Sequence, residues 1–348
     1  MNFIKLLLYP FAALYNAVMR LRNHLYDIGQ KPTFHFETAV IAIGNLNVGG
    51  SGKTPMVEYL INLLSKDYPT VTLSRGYRRE TSGYRLACAE DTARSIGDEP
   101  LQLFRKFGGS IHVAVGEDRV FAIPHILQQF PETRVLLLDD AMQQRSIAPN
   151  FTILLTTQER PFYRDFLLPF GRLRESRRGA NRADVVVITK CEAELKTIEE
   201  VEMTARVKLY AGEKPVFFSC VKYGSPQPFR PGMAFSDNVI LVSGIADSAP
   251  LRSFCARQFQ LLRHFDYPDH YSYSVADLQE IERYCRAQIR DFAIVTTEKD
   301  MVKLNGKEFS PYLDRWKWFS LPIQHMFIKD GAKFDELVRN AVTRTPPH

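Results

Sequence analysis

A glycine-rich segment constrains the fold of this chain more than any other part of its sequence. Residues 45–55 read Asn-Leu-Asn-Val-Gly-Gly-Ser-Gly-Lys-Thr-Pro. Thr38–Gly44 before it is apolar enough for a short buried strand, and Met56–Leu64 after it has helical spacing. Backbone N–H groups of closely spaced glycines can converge on an anion where a helix begins, and a following lysine and threonine suit phosphate oxygens and Mg²⁺. The segment therefore predicts a phosphate-binding loop.

This loop departs from the strict pattern G-x-x-x-x-G-K-[ST], because Asn47 stands where the first glycine is expected. Asparagine tolerates a left-handed backbone better than most residues, so we expect the turn to form. An ordinary Gly-rich turn is the alternative. The predicted phosphate contacts, among which Lys53 also assists catalysis and Thr54 also binds Mg²⁺, are Asn47, Val48, Gly49, Gly50, Ser51, Gly52, Lys53 and Thr54.

Short apolar runs alternate with helical or loop segments between residues 38 and 190. This alternation predicts an α/β fold with a mostly parallel sheet and helices on both of its faces. The predicted strands are Val40–Ile43, Thr70–Leu73, His112–Val115, Val135–Leu138, Phe151–Leu155 and Val185–Ile188.

A Gly- and Pro-bearing stretch, Tyr223–Gly232, predicts the passage to a second, smaller α/β unit. The elements predicted for that unit are the strands Val239–Val242, Gln260–His264 and Phe292–Thr296 and the helix Ser274–Arg290. We therefore divide the chain into an N-terminal helix (1–28), a larger domain (29–225) and a smaller domain (226–348) that closes over the cleft.

The first 28 residues predict an amphipathic helix. Its longest uncharged run, Leu6–Met19, has 14 residues, whereas a membrane-spanning helix needs about 20. A helix lying in the membrane surface is therefore favoured over a spanning helix, a signal peptide or a helix that caps the core. The apolar stripe comprises Phe3, Leu7, Phe11, Leu14, Val18, Leu21 and Leu25, widened by Ile4, Leu8, Tyr15 and Met19, with Lys5, Asn16, Arg20, Asn23 and Asp27 opposite.

Composition narrows the class of partner. The net charge of +6 favours anionic partners. The basic residues lack the aromatic interleaving and the binding motifs of nucleic-acid readers, so no nucleic-acid partner is expected. The five cysteines form no C-x-x-C pair, which argues against a zinc site and for a reducing compartment. A monomer is the expected oligomeric state.

The sequence has two pairs of adjacent carboxylates. One pair follows a predicted strand, and the other opens a predicted helix. Asp139 and Asp140 end the apolar run that begins at Arg134, which is where a metal-holding carboxylate is needed beside a phosphate loop. Spacing does not decide which of the two binds the metal. Asp98 and Glu99 precede Pro100, and Asp98 is a candidate general base or, alternatively, a helix cap.

Further polar residues are predicted near the cleft. Arg75, in Ser74–Tyr77, follows the second strand and could meet a phosphate. His270 lies in a polar, aromatic turn of the smaller domain, where its imidazole could pair with a carboxylate of the larger domain; a structural role is the alternative. Thr297–Asp300 adds a charged loop at the same cleft.

Two other segments bear on ligand choice. Leu168–Arg178 concentrates arginines around Glu175, which suits phosphate or acidic sugar recognition, or else forms a solvated basic loop. Ile188–Glu192 weakly matches the guanine-reading T-K-x-D element of GTPases, with glutamate in place of aspartate.

These elements, taken in order, resemble the tetraacyldisaccharide 4′-kinase family. The resemblance covers nearly the whole chain and rests on the N-terminal helix, Gly44–Pro55, Ser74–Tyr77, Gly97–Pro100, Asp139-Asp140 with Gln143, Leu168–Glu175, Asp269-His270 and Thr297–Asp300. This chain has Ala141 where the family usually has glycine, and Arg172 and Ser176 where it commonly has proline.

The resemblance implies a P-loop NTPase fold, a three-layer α/β/α arrangement, and a kinase that works at the cytoplasmic face of the bacterial inner membrane. It implies ATP and Mg²⁺ as cofactors and the 4′-hydroxyl of a lipid-linked glucosamine disaccharide as acceptor. By that resemblance Asp98 and His270 match a base dyad, and Arg174 and Glu175 match the rim of the site. Together with Arg75 and Glu99, these two rim residues are the predicted substrate contacts.

Two other functions remain open on the sequence. A GTPase-type chaperone would account for Thr189-Lys190 and the unusual phosphate loop. A membrane-tethered nucleotide sensor would bind ATP but yield no phosphorylated lipid.

Overall fold

The structure is a computed structural model that describes residues 3–344, with the side chains of residues 3–7 and 9 left undescribed. The strands are β1 (Ala39–Asn45), β2 (Thr70–Ser74), β3 (Arg85–Leu86), β4 (His112–Val115), β5 (Val135–Leu138), β6 (Phe151–Thr157), β7 (Val185–Thr189), β8 (Val216–Tyr223), β9 (Gln227–Pro228), β10 (Asn238–Ser243), β11 (Gln260–Asp266), β12 (Ala293–Thr297), β13 (Trp318–Leu321) and β14 (Ile323–Phe327). The helices are α1 (Phe3–Asp27), α2 (Lys53–Leu64), α3 (Ala93–Ile96), α4 (Asp98–Phe107), α5 (Arg119–Gln129), α6 (Thr197–Ala211), α7 (Ala249–Gln258), α8 (Val275–Arg286), α9 (Glu298–Leu304), α10 (Ser310–Leu313) and α11 (Gly331–Thr343).

The larger domain is built on a nine-stranded sheet in the order β14-β8-β7-β6-β1-β5-β2-β4-β3. Every neighbouring pair from β8 to β4 is parallel, and only the two edge strands, β14 and β3, run antiparallel. The strand β1 is buried along its whole length, because helices cover both faces of a parallel sheet. The predicted mostly parallel α/β fold is therefore confirmed.

The smaller domain has its own five-stranded sheet in the order β11-β10-β12-β13-β9. Strands β11, β10, β12 and β13 are parallel, and β9 pairs antiparallel with β13. The chain then returns to the larger domain, since β14 pairs with β8 and Phe334 and Val338 of α11 belong to the core under the large sheet. The smaller domain thus ends near residue 322, whereas the sequence assigned it everything from 226 to 348; residues 345–348 lie outside the described part of the chain.

Helix α1 packs against the larger domain through polar contacts. The Tyr15 hydroxyl donates to the Arg174 carbonyl (2.6 Å), and Arg22 donates to the Gln143 carbonyl (3.1 Å). The predicted stripe residues Phe3, Ile4 and Leu7 have undescribed side chains, but Phe11, Leu14, Val18 and Leu21 are each more than half exposed. Among residues 3–344, no helix is both long and apolar enough to cross a membrane.

Candidate active site

The glycine-rich segment forms the turn between β1 and α2. Gly49 (φ 122°) and Gly52 (φ 85°) have the left-handed backbone that favours glycine, and Gly52 directly precedes the first residue of α2. The Ser51 carbonyl accepts a hydrogen bond from the Thr189 hydroxyl at the end of β7 (2.8 Å). The glycine turn thus leads directly into the start of α2, and a helix start is where phosphate oxygens find free N–H donors.

Asn47 acts differently from the sequence expectation. Its backbone is not left-handed but forms an antiparallel bridge with Leu173, and its side-chain amide donates to Asp165 Oδ2 (2.7 Å). The neighbouring Val48 amide donates to the Arg172 carbonyl (2.7 Å). The position that lacks the first glycine therefore ties the phosphate loop to the arginine-rich segment.

Lys53 lies at the first turn of α2, among oxygen acceptors. Its ammonium is 3.3 Å from Asn45 Oδ1 and 3.6 Å from Asp140 Oδ1. Arg174 makes a bidentate pair with the same Asp140 carboxylate (2.7 and 2.8 Å) and also donates to Asn45 Oδ1 (2.5 Å). Although burial alone would raise the pKa of Asp140, the Arg174 hydrogen bonds and the charge of Lys53 hold it far below its ordinary value.

The adjacent carboxylate behaves in the opposite way. Desolvation raises the pKa of Asp139 to about 6, since repulsion from Asp140 and Glu99 adds to burial and outweighs the attraction of Lys53. Its Oδ1 atom is buried and has no hydrogen-bond partner among the described residues. Asp139 is thus a carboxylate with a buried, unpartnered oxygen and no counter-charge in contact.

Arg119, at the start of α5, is fully buried beneath these two aspartates. Its guanidinium donates to the backbone carbonyls of Asp139 and Asp140 and so fixes the end of β5, where Asp140 has a positive φ of 50°. Burial lowers the pKa of Arg119 to about 10. This role could not be predicted from the sequence, because Arg119 lies 20 positions before Asp139 and no local motif links the two.

Glu175 differs from its predicted role as a substrate contact. It is only 1% exposed, and its carboxylate accepts hydrogen bonds from Arg182 (2.8 Å to each oxygen), Gln143 (3.0 Å) and Asn23 of α1 (3.4 Å). With both oxygens engaged inside the protein, Glu175 supports the wall of the site and does not line it. Arg174, the other predicted rim residue, faces Asp140 across the cleft.

The second group of polar residues lies where the two domains meet. Asp98 begins α4 in the larger domain, and its Oδ2 is 3.1 Å from Nδ1 of His270 in the smaller domain. Burial would raise the pKa of Asp98, but the hydrogen bond to His270 and the charges of Lys303 and Lys299 lower it below its ordinary value. His270 has a left-handed backbone (φ 56°), and its carbonyl accepts from Arg78 (3.2 Å). The predicted pairing of His270 with a carboxylate of the other domain is present.

The remaining predicted residues lie around these two groups. The charge of Glu99 contributes to the raised pKa of Asp139. Arg75 is exposed, and its charge contributes to lowering the pKa of Arg119 beneath the aspartates. A Cβ placed on Gly50 would lie 3.7 Å from Lys190 Nζ and 3.9 Å from Ala246, which shows that the smaller domain reaches the phosphate loop.

The chemistry of the site fits a nucleotide phosphate chain with a divalent metal. The loop glycines, the helix start and Lys53 provide donors for phosphate oxygens, while the Thr54 hydroxyl and the orphaned Asp139 oxygen are hard ligands of the kind that Mg²⁺ prefers. Among the described residues no group of three or more His, Cys, Asp or Glu side chains could hold a metal.

Known proteins resemble this chain over nearly its whole length. The family described as tetraacyldisaccharide-1-P 4′-kinase matches residues 4–343. The tetraacyldisaccharide 4′-kinase of Flavobacterium johnsoniae is 39% identical over 340 residues, covering 96% of each chain, and that of Cytophaga hutchinsonii is 40% identical, covering 93% of this chain and 92% of the other.

Among solved structures, LpxK of Aquifex aeolicus in complex with ATP superimposes with a TM-score of 0.76 at 28% identity, covering 97% of this chain and 99% of that one. The extent of these matches, at both the sequence and the fold level, places the chain in the tetraacyldisaccharide 4′-kinase family.

Proposed function

We propose that this protein transfers the γ-phosphate of ATP to the 4′-hydroxyl of a tetraacyldisaccharide 1-phosphate at a membrane surface. The observation that carries the proposal is that the smaller domain, whose His270 pairs with Asp98, also reaches Gly50 of the phosphate loop at Ala246. A phosphate loop alone binds nucleotide; a paired carboxylate facing it supplies a proton acceptor for a hydroxyl. The Aquifex aeolicus relative that was solved with ATP supports ATP as the donor.

Lys53, Thr54 and the loop amides would hold the phosphate chain. Mg²⁺, when bound, bridges phosphate oxygens and neutralises charge that develops during transfer. Asp139 is the better candidate of the two aspartates for the metal, because Asp140 already pairs with Arg174 whereas Asp139 Oδ1 has no partner among the described residues. Thr54 and Asp139 are therefore the proposed metal-binding residues, with Asp140 supporting them.

Asp98 would accept the proton of the acceptor hydroxyl. Its lowered pKa keeps it ionised at neutral pH, and the His270 imidazole orients it through the 3.1 Å contact. Because phosphoryl transfer depends mainly on positioning and charge, the protein contributes by holding hydroxyl, phosphate and base in one geometry. His270 belongs to the smaller domain, so this geometry depends on how the two domains are held together.

The orientation of α1 supports a membrane-bound acceptor. The side chains of Tyr15, Arg22 and Asn23 bond to the larger domain beside the site, while the apolar stripe from Phe11 to Leu21 stays exposed. Burial of each such side chain is worth about 1.5–3 kcal/mol. We propose that this face lies in the cytoplasmic surface of the inner membrane and so brings the site to the headgroup of the lipid acceptor.

The activity is tested by incubating the purified protein with tetraacyldisaccharide 1-phosphate in mixed micelles, Mg²⁺ and either ATP or GTP. Mass analysis should find one added phosphate on the lipid with ATP. Preference for GTP would favour a GTPase-type chaperone, and nucleotide binding without a phosphorylated lipid would favour a sensor.

Membrane contact is tested by flotation with anionic vesicles. Replacing the exposed α1 stripe with serine should abolish flotation, whereas the matched replacement of the exposed apolar face of α6 should not. The two sets are Phe11, Leu14, Val18 and Leu21 on α1, and Ile198, Val201 and Leu209 on α6. Equal flotation of both variants would contradict the proposed orientation.

A further inference from the structure

Lys299 belongs to the predicted charged loop Thr297–Asp300 but has no role of its own assigned, and it lies where the two domains meet. It is the second residue of α9 in the smaller domain, and its side chain is only 20% exposed. Its ammonium nitrogen is 3.1 Å from Glu99 Oε1, 3.3 Å from Asp269 Oδ1 and 3.2 Å from Nε2 of His270. Lys299 therefore touches the His270 ring on the side opposite to Asp98.

The chemistry of these contacts defines which nitrogen of His270 carries the proton. An ammonium group has three donors and no acceptor, so at 3.2 Å the Nε2 atom must act as the acceptor. A neutral imidazole that accepts at Nε2 carries its proton on Nδ1, and Nδ1 faces Asp98 Oδ2 at 3.1 Å. The ring then donates to Asp98, which is the arrangement that leaves Asp98 ionised and oriented.

The position of Lys299 relative to α4 is fixed by its neighbour. Glu298 accepts a hydrogen bond from Lys106 of α4 (2.8 Å), and Lys106 also bonds to the buried Glu58 of α2 (2.8 Å). Helix α9 is therefore fastened to the helix that carries Asp98 and, through it, to the helix that follows the phosphate loop. The place of Lys299 does not depend on His270 alone.

We propose that Lys299 is a positioning residue that holds His270 as the neutral, Nδ1-protonated tautomer and thereby maintains Asp98 as an ionised hydrogen-bond acceptor. The catalytic part of this inference rests on the proposed role of Asp98 as the base. The assignment of the proton to Nδ1 concerns only the ring nitrogens of His270 and does not depend on whether Asp98 is the catalytic base.

The surroundings of His270 explain why a cation is needed there. From α4 it faces Asp98 and Glu99 (3.8 Å from Nε2), and from its own turn Asp269 (3.7 Å from Nε2). The other facing groups from the larger domain are the guanidinium of Arg78, which binds the His270 carbonyl, and the edge-packed ring of Tyr77; Lys303 acts on Asp98 through its charge. Without Lys299, a proton on Nε2 would have the carboxylates of Glu99 and Asp269 as acceptors, and Nδ1 would no longer donate to Asp98.

The experiment uses two-bond ¹H–¹⁵N correlation spectra of the histidine side chains in the full-length protein at pH 8, with His270→Gln to assign the signal. We expect the Nδ1–H pattern for His270 in the unaltered protein and in Lys299→Arg, which keeps a cationic donor. In Lys299→Met we expect the Nε2–H pattern. Lys307→Met, at an exposed lysine of the same domain, is the matched control and should leave the pattern unchanged.

Kinetics supply the second readout. Because a general base contributes about 10²–10⁴-fold, loss of its orientation in Lys299→Met should lower kcat by roughly tenfold or more, with the KM for ATP unchanged and the acid limb of the kcat–pH profile moved to higher pH. Lys299→Arg should recover most of kcat.

An Nε2–H or imidazolium pattern in the unaltered protein, or an Nδ1–H or imidazolium pattern in Lys299→Met, would overturn the assignment. If the tautomer follows Lys299 as expected but Asp98→Asn keeps full kcat, the base role of Asp98 fails and the tautomeric assignment stands.

Discussion

Replacing Asp139 with asparagine should stabilise the metal-free, nucleotide-free protein at alkaline pH. The pKa of Asp139 is raised from 3.8 to about 6 in the folded state. A carboxyl group whose pKa is raised by folding favours the folded state only in its protonated form, so its ionisation destabilises the protein as the pH rises through 6. This rise in pKa corresponds to a loss of about 3 kcal/mol in the free energy of unfolding at pH 8. The asparagine amide does not ionise, so the variant should recover that amount.

The pH dependence separates this effect from a general change in packing. At pH 5 the folded-state carboxyl is mostly protonated, and the expected gain falls to roughly half of its value at pH 8. Urea unfolding in EDTA should be followed by far-UV circular dichroism. Tryptophan fluorescence would report on the wrong domain, because Trp316 and Trp318 both belong to the core of the smaller domain.

The neighbouring aspartate provides a matched control with the opposite sign. Asp140 has a lowered pKa and pairs with Arg174 and Lys53, so its ionised form stabilises the folded state above its unfolded pKa. Asp140→Asn should therefore destabilise the protein at pH 8, although asparagine tolerates the positive φ of 50° at that position. A result in which Asp139→Asn is no more stable than the unaltered protein at pH 8, or in which both variants shift the same way, would refute the reasoning.

Two further predictions concern activity. Asp98→Asn should lower kcat by about 10²–10⁴-fold while leaving ATP affinity, measured by calorimetry, unchanged, because the substitution removes the proton acceptor and keeps the side-chain shape; full activity would remove the base assignment. Asn47→Gly restores the strict glycine pattern but deletes the 2.7 Å bond to Asp165, so ATP affinity should fall by about fivefold, the equivalent of one hydrogen bond of about 1 kcal/mol; tighter binding would show that the tie to Asp165 has no effect on the loop.

The large parallel sheet could be predicted well because its strands carry their signal locally. Val135–Leu138 and His112–Val115 have the same bounds in the sequence prediction and in the structure, since strands buried on both faces are continuous apolar runs. The return of β14 and α11 to this sheet could not be predicted. Ile323–Phe327 pairs with a strand 100 positions earlier in the chain, and no local pattern indicates which of two sheets an edge strand will join.

The residues of the candidate site likewise fall into those that a local pattern predicts and those that only the fold brings together. The phosphate loop is contiguous and was predicted from its residues, but its tie through Asn47 was not, because that contact depends on Asp165. His270 and Asp98 are 172 positions apart. Their pairing could be predicted, but only the structure gives the 3.1 Å distance between Nδ1 and Oδ2. Arg119 and Lys299 act through contacts that only the folded chain creates. Glu175 is expected at the rim from the family resemblance, and its burial is not visible in an arginine-rich segment.

The two adjacent aspartates also indicate how the site prepares for its ligands. Asp139 and Asp140 share one backbone turn fixed by Arg119, yet only Asp140 receives Arg174 and Lys53 in contact, and the two pKa values move apart for that reason. Asp140 thus holds the cations of the site in place before any phosphate arrives, while Asp139 keeps a free oxygen and an unfavourable charge. A divalent cation would give Asp139 the counter-charge that Arg174 gives to Asp140, so binding at Asp139 would relieve a destabilising charge and leave the existing ion pairs intact.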